Sequence, residues 1–157
     1  MALADYYLAR ESASRARRIY GEVWDDLSAS EAGLDMRRDL MQSLTPIWQE
    51  PLPPYTKGAA GAKDARDGDV RTGTVEVQYL IDDRGRPRVS QIDTEPGEFS
   101  DMERMVAREI KRRRFRPLVI DGELEDSEMQ TFTHEFRYRQ AELDDIRAEK
   151  AAVESGE

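Results

Sequence analysis

The sequence contains no cysteine and a single histidine, His134, among its 157 residues. The absence of cysteine excludes disulfides and thiolate metal sites, and it leaves the redox compartment open. A single imidazole excludes any catalytic or metal site that is built on two histidines. We therefore expect a protein that holds no metal and no cofactor.

Positive charge and long apolar runs are also scarce. The chain carries 24 Lys+Arg against 33 Asp+Glu, which gives a formal net charge of −9. Such an acidic chain is poorly suited to nucleic acid, whose phosphates usually meet a basic surface. No apolar run approaches the roughly 18 residues that cross a membrane. We expect no nucleic-acid partner and no membrane span within this chain.

Catalytic sequence motifs are missing as well. The chain has no P-loop, no Gly-x-Ser-x-Gly and no His-Glu-x-x-His. Adjacent carboxylates do occur, as at Asp82 and Asp83, but they fall on turns and helix surfaces. Catalytic carboxylates need different surroundings that separate their pKa values, and the sequence marks none of these pairs as buried. We predict that the protein is not an enzyme.

What is present begins with helical periodicity over residues 1–48. Apolar residues recur at intervals of three and four from Leu3 to Leu8 and again from Ala16 to Leu27. This spacing predicts a hairpin of two helices, followed by another amphipathic helix over 34–44.

The first two helices resemble one tetratricopeptide repeat, with a generic helical hairpin as the alternative. Small and aromatic residues follow the order of that repeat, whose pattern spans about 34 residues; the matching positions are Leu3, Ala4, Tyr7, Ala16, Tyr20 and Val23. One repeat cannot bury its own apolar face. The resemblance therefore implies the end of a longer solenoid, with further repeats or an anchor upstream.

Prolines end the helical region, and residues 49–72 are rich in Pro, Gly and Ala, which predicts a linker. From Gly73 the pattern changes to the alternation of a half-buried strand. A second strand follows over 87–94, after a turn that contains Gly85. Ser100 and Glu103 have the spacing of a capping box, which predicts the start of a helix there.

A last strand is predicted over 130–138, where apolar and polar residues alternate. The predicted fold class is therefore α+β: a small three-stranded antiparallel sheet with a packed helix over residues 73–139, preceded by the all-α unit. Residues 140–157 are acidic and have few apolar positions, so we expect a helical or disordered tail.

Residues 73–138 resemble the C-terminal domain of the TonB family. Gly-Thr-Val-Glu-Val at 73–77 matches the first strand of that domain, and Asp-Arg-Gly-Arg at 83–86 matches its hairpin. The most specific match is Arg-Phe-Arg-Pro at 114–117, with Gly122 five residues after the proline. Arg113 and Ser90 depart from the family, which commonly has Trp and an aliphatic residue at these positions.

The resemblance implies a function in protein–protein interaction. The last strand of the family domain is an edge strand, to which partner segments add by backbone pairing. The corresponding residues are Thr131, Phe132, Thr133, His134, Glu135, Phe136 and Arg137. The implied partner is the periplasmic segment of an outer-membrane transporter, or a second copy of the chain. The implied compartment is the periplasm, with an inner-membrane anchor in upstream sequence. The alternative is a structural or dimerisation module that ends a tetratricopeptide scaffold and has no role in transport.

A basic cluster follows the predicted helix. It contains five cations within six positions: Lys111, Arg112, Arg113, Arg114 and Arg116. One hypothesis is docking to an anionic surface such as lipid headgroups or an acidic partner. The alternative is a solvated helix end whose cations pair with carboxylates of this acidic chain. His134, which lies between two phenylalanines in the alternation, is expected to be a packed, hydrogen-bonded side chain.

Overall fold

The computed structural model describes residues 1–57, 59 and 69–154. Five helices and seven strands lie in these ranges: α1 (Ala2–Ala9), α2 (Ala13–Ser28), α3 (Glu31–Met41), β1 (Pro46–Trp48), β2 (Val70–Ile81), β3 (Pro87–Glu95), α4 (Ser100–Arg112), β4 (Arg114–Phe115), β5 (Leu118–Ile120), β6 (Glu123–Glu125), β7 (Gln130–Arg139) and α5 (Gln140–Glu154). The predicted α+β fold class is confirmed. Ten residues of the predicted linker, 58 and 60–68, lie outside the described residues, as do 155–157.

The chain divides into two units. Unit 1 comprises Met1–Glu50, Gln78–Ser90 and Glu109–Gln130, and unit 2 comprises Pro51–Val77, Gln91–Arg108 and Thr131–Glu157. The first segment of unit 1 ends at Glu50, close to residue 48, where the predicted helical region ends. Both units contain segments of the region 73–139.

Unit 1 is built around the first three helices. Tyr20 and Met41 are fully buried in its core, which is formed by Ala4, Leu8, Ala16, Tyr20, Trp24, Met41 and Val119. Tyr20 and the small residues Ala4 and Ala16 of the hairpin therefore share one core. Because Val119 belongs to β5, the helical hairpin also shares its core with a segment far along the chain.

The predicted turn between β2 and β3 is confirmed. The Gly85 amide donates to the Asp82 carbonyl at 2.8 Å, and Gly85 has a positive φ of 70°. A Cβ at this position would meet the Phe115 carbonyl group. Glycine is required there both by the backbone conformation and by this close approach.

The three-stranded sheet has the strand order β3-β2-β7, so that β2 is central. In β2 the side chains of Val75, Val77, Tyr79 and Ile81 are buried, as their alternation predicts. In β7 the buried Phe136 and Tyr138 alternate with exposed residues. The two-residue period of the sequence therefore identified the buried face of both strands.

Helix α4 begins at Ser100, but not with the predicted capping box. The Phe99 carbonyl accepts from the amides of Met102 and Glu103, at 3.0 and 3.2 Å. The Glu103 carboxylate instead accepts from the Thr94 hydroxyl at 3.1 Å. Phe99 is buried, and its ring lies 5.4 Å from that of Phe136, so tertiary packing fixes the residue that precedes the helix.

The tail is helical from Gln140 to Glu154. Its one buried residue is Leu143, and Arg147 pairs with Glu98 at 2.6 Å. A buried leucine and an ion pair therefore help to attach a helix whose apolar positions are few.

Candidate functional site at the edge of strand β7

Strand β7 lies at an edge of the three-stranded sheet. Among the described strands, β2 alone pairs with it, along one of its two sides. An edge strand presents unpaired N–H and C=O groups to which another extended segment can add. The edge position that the resemblance implied is confirmed by the strand order.

A segment of the chain itself occupies one end of this edge. The Arg137 amide donates to the Pro54 carbonyl at 2.9 Å, and the Thr56 amide donates to the Arg137 carbonyl at 3.0 Å. Tyr55 and Arg137 thereby form a parallel bridge. We call residues 53–56 the strap.

The bonds to the strap establish which way the β7 backbone groups point. Both the N–H and the C=O of Arg137 face away from β2. Backbone direction repeats every two residues along a strand. The backbone groups of Thr131, Thr133 and Glu135 therefore face outward as well.

The strap cannot continue its pairing toward the start of β7. A parallel ladder extended by two residues would need the amide of residue 54 to donate to the Glu135 carbonyl. Residue 54 is proline, which has no N–H. Among the described residues, no strand pairs with β7 on this side before Arg137. Residues 131–135 form what we call the open edge.

Side chains hold the strap in place. The Thr56 hydroxyl donates to Glu142 Oε2 at 2.6 Å, and Thr56 is buried. His134 Nε2 lies 2.9 Å from the Pro53 carbonyl oxygen. In the tautomer that is protonated at Nε2, this oxygen accepts a hydrogen bond from the ring. His134 is half-buried and hydrogen-bonded, as predicted.

The two faces of the open edge differ in polarity. Thr131, Thr133 and Glu135 are exposed, whereas Phe132 and His134 are half-buried on the opposite face. That face continues into Phe136 and Tyr138, whose rings lie 5.4 and 4.8 Å from the ring of Phe99. An aromatic cluster therefore packs against one face of β7.

The basic cluster does not form one exposed patch. Arg113 and Arg116 are buried, at 7% and 9% exposure. Arg114 is largely covered and lies 3.5 Å from Glu11. The chain turns inward after α4 ends at Arg112, so Lys111 and Arg112 alone are exposed among the five. Anion binding by these two residues stays a prediction.

Arg116 is the centre of a buried polar network in unit 1. Its Nη2 and Nε donate to the Asp5 carboxylate at 2.6 and 3.0 Å, and its Nη1 donates to the Leu40 carbonyl at 3.0 Å. The Tyr20 hydroxyl donates to the same carboxylate at 2.7 Å. This network joins α1 and α2 to the segment after β4.

The network shifts the pKa values of its members. Burial alone would raise the pKa of Asp5, but hydrogen bonds from Arg116 and Tyr20 outweigh it and hold that pKa below its ordinary value. Burial raises the pKa of the Tyr20 phenol strongly, and the Asp5 carboxylate adds to this effect. Tyr20 therefore keeps its proton and acts as a donor. Sequence reasoning missed Asp5, because nothing near it in the sequence marks a buried partner.

Unit 2 also contains a groove of about 570 Å³. Phe99, Met102, Met105 and Ile146 form its apolar lining, and Lys57 and Arg104 contribute cations.

Within the described ranges, no three His, Asp or Glu side chains come together as a metal site. No helix in the described part of the chain combines the length and the apolar character that crossing a membrane requires.

Comparison with models of known protein families and with curated proteins finds no match for this chain.

Proposed function

We propose that this protein is a non-catalytic interaction module that binds an extended segment of a partner at the open edge of β7. One observation carries the proposal. The edge already accepts the strap through two backbone hydrogen bonds at Arg137, and the preceding residues present the same groups in the same direction. An edge that pairs with a segment of its own chain presents the backbone groups to which a partner segment can add.

The open edge offers a defined set of bonds. Thr131, Thr133 and Glu135 each present one N–H and one C=O outward. Main-chain bonds of this kind give affinity, while alternate side chains give specificity. Exposed threonines on one face and the half-buried Phe132 on the other favour a partner segment that alternates polar and apolar residues.

Partner and compartment rest on the resemblance to the TonB domain. By that resemblance, the partner is the periplasmic segment of an outer-membrane transporter, and the protein acts in the periplasm. An anchor to the inner membrane would then be supplied by upstream sequence.

The second candidate function is that of a structural module, in which two copies pair their edges or the helices extend a scaffold. Its supporting observation is the exposed apolar surface of α1, where Leu3 is 56% and Tyr6 53% exposed. Apolar surface of this kind promotes association. In this case the β7 edge would have no part in transport.

Peptide selection tests the proposal without a known partner. Random peptides of about nine residues would be selected for binding to the full chain. We expect the selected peptides to bind Thr133→Ala as they bind the natural chain, and to lose at least about tenfold in affinity for Thr133→Pro. The proline removes an outward-facing donor and leaves the pairing with β2 intact.

Two controls complete this test. Phe132→Pro removes an amide that faces β2 and should unfold the sheet, whereas Thr133→Pro should keep the circular dichroism spectrum. Recovery of no binding peptide, or equal binding by the two Thr133 variants, would contradict the proposal. A chain that dimerises through an interface sensitive to Thr133→Pro, and binds no peptide, would favour the structural module.

A further inference from the structure

We propose that the strap sets the length and the end of the docking surface on β7. A partner segment then pairs with residues 131–135 and stops before Arg137. Release of the strap would lengthen the surface toward the end of the strand. This inference rests on the proposed function, because it concerns the same edge.

The first step is the occupancy of Arg137. Its amide and its carbonyl are both taken by the strap, at 2.9 and 3.0 Å. These lengths are ordinary for backbone hydrogen bonds. A partner can reach Arg137 only after both bonds break, so this residue is the boundary of the surface.

The second step is the residue that keeps the strap closed. Thr56 donates its amide to β7 and its hydroxyl to Glu142 of α5, at 3.0 and 2.6 Å. The Thr56 hydroxyl also accepts from the Ala59 amide at 3.3 Å. One residue therefore couples the tail helix to the edge. Changes at Thr56 loosen the strap without altering any residue of β7.

The third step is the chemistry of the partner. The open edge has five residues, which span about 16 Å at ~3.3 Å per residue. A fitting segment is extended, about five residues long, and has no proline where its amides face β7. Its apolar side chains lie beside Phe132 and its polar ones beside the threonines.

Three Thr56 variants test the inference. Thr56→Pro removes the amide that pairs with Arg137, Thr56→Val removes only the hydroxyl, and Thr56→Ser keeps both groups as the matched control. The probes are the tightest peptide of about nine residues from the selection described above and its shortest fully active truncation, of about five residues. Isothermal titration gives both affinities for each variant.

For the natural chain and Thr56→Ser, we expect the two peptides to bind within about twofold of each other. For Thr56→Pro, the longer peptide should gain about tenfold from bonds to Arg137, while the shorter one should not change. Thr56→Val should shift in the same direction by about threefold. This second variant keeps the test valid if Thr56→Pro does not fold.

The outcomes separate the inference from the function on which it rests. Peptides that bind with the same length dependence in all variants would overturn the inference and leave strand addition standing. A natural chain that already prefers the longer peptide by about tenfold would also overturn it, because the partner would then displace the strap unaided. Absence of binding in every variant would overturn the proposed function itself.

Discussion

Arg116 in unit 1 and strand β7 in unit 2 both lie in the last third of the chain, but their polar groups have different partners. The Arg116 guanidinium donates its hydrogen bonds within unit 1, to the Asp5 carboxylate and the Leu40 carbonyl. In β7, by contrast, the strap bonds to the backbone of Arg137, and no described strand pairs with the preceding outward groups. Arg116 therefore stabilises the fold, and the candidate site lies where the described internal pairing of β7 stops.

The largest expected effect is that of Arg116→Ala. It would leave the Asp5 carboxylate buried without its counter-ion, and the Asp5 and Arg116 side chains are only 16% and 11% exposed. Breaking such a pair costs ~3–5 kcal/mol of the free energy of unfolding. Urea denaturation measures this cost. A loss below ~1 kcal/mol would show that Arg116 is as dispensable as an exposed threonine of β7.

Phe115→Ala should have a comparable effect through packing alone. Phe115 is 6% exposed, and its ring centroid lies 6.2 Å from that of Tyr79. Removing a buried phenyl ring leaves a cavity and costs ~3–5 kcal/mol. An unchanged urea midpoint would contradict the burial of Phe115 in unit 1.

The titration of Asp5 should have a smaller effect, which appears as a pH dependence of the free energy of unfolding. The pKa of Asp5 is lowered in the folded state, so its contribution to stability is present above the ordinary value of 3.8 and is lost as the pH falls through the folded pKa. The stability difference between the natural chain and Asp5→Asn should therefore shrink on acidification below about pH 4. Urea melts of both proteins at several pH values measure it. A difference that grows on acidification would contradict the sign of the shift.

Much of the fold could be predicted from the sequence, because it is expressed in local patterns. Alternation identified the buried residues of β2 and β7, and apolar spacing identified α4. The predicted capping box at Ser100 was wrong, since packing of Phe99 against Phe136 overrides the local motif. Local spacing carries no information about such long-range contacts.

The candidate site was predicted only in part, for a similar reason. The edge position of β7 followed from the resemblance, and the buried face of the strand followed from alternation. The strap did not, because Pro53 and Pro54 predict a chain that leaves regular structure rather than one that returns to a strand. The burial of Arg116 was missed because its partner Asp5 lies 111 positions away in the sequence.

The smallest change is expected from Thr133→Ala, which lies on the open edge. Thr133 is exposed, and its side chain has no described hydrogen bond. The free energy of unfolding should change by less than ~0.5 kcal/mol, as for other surface substitutions. A loss above ~2 kcal/mol in urea denaturation would mean that the open edge is part of the internal structure after all.

Residue-resolved amide hydrogen exchange tests the central claim most directly, because it reports each outward N–H of β7 in the free protein. We expect the Thr133 and Glu135 amides to exchange at least about tenfold faster than the Arg137 amide, which donates to Pro54. We also expect Thr56→Pro to raise the exchange rate of the Arg137 amide toward the rates of Thr133 and Glu135. Equal protection of all three amides in the natural chain would contradict an edge that is open before Arg137 and closed at it.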